Sequence, residues 1–156
     1  MKLSPIILSL CALSAAAQPL AFGWNLNDKA NPPVKAHTHS VHTQVSPRPW
    51  HNAIFLLEYE ENRLQSVHGA ARIEGADPKG DKALQLAGKA AEGFTARFGP
   101  PLLVEMKLDD PENFWECMSN ESCGKYTLAW QGGGFLAVVS IRGQHKGVGV
   151  VIKKQE

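Results

Sequence analysis

Cysteine is scarce in this chain: three residues in 156, one of them Cys11, near the start. The other two, Cys117 and Cys123, have no second pair elsewhere. Their C-x5-C spacing is not the C-x2-C of zinc ribbons or dithiol redox centres, so neither chemistry is matched. Enzyme signatures are missing as well: there is no G-x-S-x-G elbow, no H-E-x-x-H and no P-loop. Gly132-Gly133-Gly134 lies between two strand-like runs with no helix after it to offer amides to a phosphate, so it reads as a turn. Charge of one sign is lacking, with 16 basic against 15 acidic residues. Such a balance gives no electrostatic case for nucleic acid or anionic lipid as the main partner. Beyond the first residues, no stretch approaches the roughly twenty apolar residues of a membrane helix.

What is present begins with MKLSPIILSLCALSAAAQPLAFG. Lys2 supplies a positive start, Pro5 to Leu13 an apolar run, and Ala15-Ala16-Ala17 small residues before a cut. This is the layout of a secretory signal over residues 1–17, with a second candidate cut after Gly23. Leu10 precedes Cys11 where a lipid-anchored cysteine would want a small residue, which argues against that anchor. Export implies a periplasmic or secreted protein and an oxidising compartment, in which two nearby cysteines pair by default. A Cys117–Cys123 disulfide is therefore expected.

Residues 24–49 carry prolines, polar residues and no apolar periodicity, and read as a flexible arm. His37, His39 and His42 lie within it. Imidazoles so spaced bind Zn²⁺, Cu²⁺ or Ni²⁺ weakly, but a Pro-flanked arm offers no rigid scaffold or supporting partners. Residues 50–156 form the expected single domain. Ile54 to Leu57 and Leu64 to Val67 flank Glu60-Glu61-Asn62, which predicts a hairpin with Gly69 marking a bulge; a helix over Glu58 to Leu64 is the competing reading. Leu84, Ala87, Ala91, Phe94 and Phe98 recur at helical spacing, with Asp81 as the expected cap and Gly99-Pro100-Pro101 as the stop. Four runs of period two follow: Leu102/Val104/Met106/Leu108, Tyr126/Leu128/Trp130, Phe135/Ala137/Val139/Ile141 and Val148/Val150/Ile152. The expected architecture is α+β: a hairpin, one amphipathic helix, then a four-stranded antiparallel meander, with the helix packed on one sheet face.

Candidate chemistry concentrates at residues 109–123. Trp115, Met118, Asn120 and Glu121 sit in or beside the closed loop, and such residue types suit a partner-binding surface. The competing reading packs Phe114 and Trp115 inward. Glu58, Glu60, Asp109 and Glu112 are the carboxylates that a hydrolase reading would draw on.

The run from Cys117 to Gly124, with the strand Lys125 to Trp130 after it, resembles the disulfide-closed inhibitory loop and next strand of the inhibitor of vertebrate lysozyme family. The resemblance spans about twenty residues. This loop is one residue longer than that family's and carries no histidine where the family has one. The resemblance implies a small periplasmic α+β protein whose closed loop contacts another protein. The sequence thus favours an exported binding protein, an inhibitor or immunity-type partner, with no cofactor and no catalytic residue assigned. A metal-handling arm and a small hydrolase are the alternatives.

Overall fold

The computed structural model describes Lys29, residues 38–42 and residues 53–155. The expected signal segment with both candidate cuts, His37 and most of the expected arm lie outside the described residues. Nine elements are placed: β1 (Thr38–His42), β2 (Ala53–Glu60), β3 (Arg63–Arg72), α1 (Asp81–Phe98), β4 (Leu103–Leu108), α2 (Phe114–Met118), β5 (Gly124–Gly132), β6 (Phe135–Arg142) and β7 (Gly147–Lys154).

The β2–β3 turn is built on Glu61 and Asn62, both at positive φ (47° and 64°), the twist that two-residue hairpins require. Between Glu58 and Tyr59 the register slips, leaving Gln65 as an extra residue. That bulge lets Leu64 and Val67, an odd number of positions apart, both face the core. Gly69 is not the bulge; a Cβ there would meet Val150 Cγ2 at 2.6 Å and Phe55 Cε1 at 2.7 Å, so the position is kept small beneath the Phe55 ring.

All strands join one antiparallel sheet in the order β1-β2-β3-β7-β6-β5-β4. The expected division into a hairpin, one helix and a four-stranded meander is thereby corrected. Among the described residues the sheet has seven strands: six within residues 53–155, and β1 from the stretch expected to be an arm. A second helix, α2, interrupts the segment read as a loop. The physical reason is the β3–β7 ladder, from Ser66↔Lys153 to Arg72↔Gly147, which fuses the hairpin to the later strands. No helix among the described residues is long and apolar enough to cross a membrane.

The core lies between the sheet and α1, which packs over β5, β6 and β7. The helix buries Ala83, Ala87, Ala90 and Phe94. Alanine on this face lets the helix axis approach the strands, and Phe94 meets Trp130 edge-on at 5.4 Å. Asp81 is not the cap. Gly80 takes the left-handed conformation (φ 72°), which folds the preceding turn back so that the Asp77 carboxylate accepts from Lys82 N (3.1 Å) and Ala83 N (3.3 Å). Two of the orphan amides of the first helical turn are thus satisfied from five and six residues upstream.

Candidate functional site

Leaving β4, the chain is turned by Asp110, whose carboxylate accepts from Asn113 N (3.2 Å) and Asn113 Nδ2 (2.8 Å). These bonds hold the Asp110 carboxyl below the usual carboxylate range. One turn of helix follows, with Phe114, Cys117 and Met118 buried. Cys117 and Cys123 are joined, their Cα atoms 5.0 Å apart. Asn120 organises the ring: its carbonyl accepts from Cys123 N and Gly124 N (both 2.9 Å), and its side-chain oxygen from Ser122 N (3.0 Å) and Ser122 Oγ (2.8 Å). Ser119 to Ser122 remain exposed at the tip.

The four residues read as contacts therefore separate. Trp115 is half-buried against the core, and its indole N–H donates to Asp77 O at 2.6 Å. Met118 is buried at 8% exposure and roots the loop from beneath, whereas Trp115 keeps part of its surface exposed. Asn120 is exposed but committed to the turn. Glu121 alone projects a charge from the tip, where it adds a small pull on Lys125. Replacing both Cys117 and Cys123 by serine is expected to remove about 2 kcal/mol of stability, by the entropy of so short a loop, measurable by urea denaturation.

Beside this loop lies a feature missed in the sequence. Val104 (57%), Met106 (63%) and Leu108 (37%) share a face of β4 yet are exposed, as are Leu102 (72%) and Leu103 (42%). Among the described residues β4 is one of the two edge strands, and α1 packs over the three strands inboard of it. Period two reveals which residues share a face but not whether anything covers that face. Glu105 pairs with Lys125 and Lys107 with Asp109, both at 2.9 Å, and Lys107 Nζ also donates to Ser122 O. The Glu105 partner raises the Lys125 ammonium pKa. Burial pushes the Tyr126 phenol up. β4 and the closed loop are thus one contiguous surface.

His39 and His42 lie on β1, opposite Glu58 and Phe55. Among the described residues no group of three or more His, Cys, Asp or Glu is placed to hold a metal ion. The carboxylates divide between β2 and the segment after β4, with four strands between them. Glu58 accepts from Ser66 Oγ and lies 3.4 Å from His68 Nε2, while Glu112 pairs with Lys79 at 2.8 Å. They form no shared acid–base pair across those two regions. On the sheet face opposite α1, a shallow hollow of about 690 Å³ is floored by Ile54, Leu56 and Val151 and rimmed by Arg72, Arg142 and Lys146. Compared with protein-family models, curated proteins and solved structures, the chain matches none.

Proposed function

We propose that this is an exported binding protein, an inhibitor or immunity-type partner of another envelope or extracellular protein, that contacts its target through the tip of the 117–123 loop. One observation carries the reading: four exposed residues, Ser119 to Ser122, are held on a covalently closed ring whose roots, Phe114, Cys117 and Met118, are buried. A tip so fixed loses little conformational entropy when a partner docks. The signal-type start and the disulfide support export. The likeness of this loop to the lysozyme-inhibitor loop supports an enzyme as the target.

The test is capture of partners from the organism's own envelope and growth medium by the mature protein, with inhibition of lysozyme turnover measured in parallel. Glu121→Lys is expected to weaken the captured partner's binding about tenfold, or 1.4 kcal/mol, with the melting temperature unchanged. Undiminished affinity in that variant would move the contact surface off the tip.

A further inference from the structure

We propose that β4 is the seam of a homodimer, pairing antiparallel with β4 of a second copy so that Met106 faces Met106 across the twofold axis. The interface is the open edge of β4, beside the loop tip, and its test does not depend on the identity of the tip's partner.

Backbone direction comes first. The β4–β5 register runs from Leu103↔Ala129 to Leu108↔Gly124, and Asp109 N continues it by donating to Cys123 O at 3.1 Å. In an antiparallel ladder alternate residues aim both backbone groups at the same neighbour. Asp109 aims at β5, so Lys107, Glu105 and Leu103 do too. Val104, Met106 and Leu108 then aim their N–H and C=O groups at the open edge. A pairing strand must bond to those three residues.

Symmetry and charge then select the register. An isologous contact pairs residue i with j and j with i. Among the registers that join open-edge residues to each other, one places Val104 opposite Leu108, Met106 opposite Met106, and Glu105 opposite Lys107. Shifting the axis one residue either way sets Glu105 on Glu105 or Lys107 on Lys107, and like charges directly opposite are destabilising. In the favoured register Glu105 and Lys107 form a pair without backbone bonds, the kind in which facing side chains approach most closely. On the other face Val104, Met106 and Leu108 of both copies make a continuous apolar strip. That strip extends the row of Leu128 and Tyr126, which lie opposite Val104 and Met106 on β5. Exposed apolar edge strands of this kind are templates for strand addition, and a self-complementary one selects its own copy.

The test is sedimentation of the mature protein over a micromolar concentration series, with charge variants. The wild type is expected to sediment as a dimer. Glu105→Lys or Lys107→Glu alone shifts the equilibrium at least about tenfold toward monomer, and the double exchange restores the dimer. Met106→Pro removes an N–H that points away from β5 and should give a folded monomer, checked by circular dichroism. A wild type monomeric throughout the series overturns the proposal. So does a dimer unaffected by either single charge change, or single-variant monomers that the double exchange fails to re-pair. If Met106→Pro does not fold, the charge exchange decides.

Discussion

Gly143→Ala is expected to cost about 3 kcal/mol and to dislodge the closed loop from the sheet, a larger loss than removal of the disulfide. Gly143 follows β6, and the closed loop rests directly on it. A Cβ built there would overlap Ser119 N and the carbonyl carbon of Met118, both main-chain atoms. A flexible side chain could swing aside; a backbone pinned by the Cys117–Cys123 bond and by two amides on the Asn120 carbonyl cannot. Either the β6–β7 turn or the whole loop must move. Urea denaturation measures the loss, and hydrogen exchange at Asn120 to Gly124 reports the displaced loop. Gly88→Ala is the matched control: a Cβ at that position in α1 meets nothing within 4 Å, so the change should stabilise by about 0.5–1 kcal/mol through helix propensity. Equal losses at both positions would mean the loop does not bear on Gly143.

Phe114→Ala is expected to cost about 3–5 kcal/mol, the usual range for deleting a buried aromatic. The ring is 1% exposed and stands perpendicular to Trp115, centroids 5.0 Å apart. It also fills the space where Gly80 would carry a side chain. Loss of the ring leaves a cavity under the start of α1, just where Asp77 caps the helix and receives the Trp115 indole bond. A double-mutant cycle isolates the contact. Gly80→Ala alone should be severely destabilising, because its methyl meets the Phe114 ring. In the Phe114→Ala background the same change should retain only the strain of a left-handed alanine, about 1–2 kcal/mol. Additive effects would remove Phe114 from the role of joining α2 to α1.

Much of the architecture was legible in local pattern. The stretch of α1 was readable because Gly99 with Pro100 and Pro101 ends it and its apolar residues recur at helical spacing. Its capping was not: Asp81 occupies the expected position, but the left-handed Gly80 brings Asp77 back to the amides, and a conformation at one residue is invisible in spacing. The sequence around β1 reads as linker, because nearby prolines suggest irregular chain. Backbone pairing with β2, which needs no apolar side chain, gives the segment its strand. α2 is one turn long, too short for periodicity to declare itself. The seven-strand order depends on β3 meeting β7, a pairing between distant residues that no local signal encodes.

At the site, the disulfide was legible from the nearness of the two cysteines and the expectation of an oxidising compartment. Residue type singles out Trp115 and Met118 alike, and type cannot tell the partly exposed Trp115 from Met118, which is rooted in the core. The exposure of β4 was hidden for a related reason. Its pattern is that of any half-buried strand, and only the limited reach of α1 leaves Val104 and Met106 uncovered.

The placement of β7 bears on how the chain reaches its native state. It comes last among the described strands, yet it sits between β3 and β6. Until it docks, the hairpin and the later strands are separate fragments, each with an apolar flank and an unpaired ladder. Closing the sheet means bringing together segments far apart in the chain, which slows folding and prolongs the life of open, sticky species. A nascent chain of this topology cannot complete its hydrophobic layer from the amino end onward. The sheet closes only when β7 takes its place between β3 and β6.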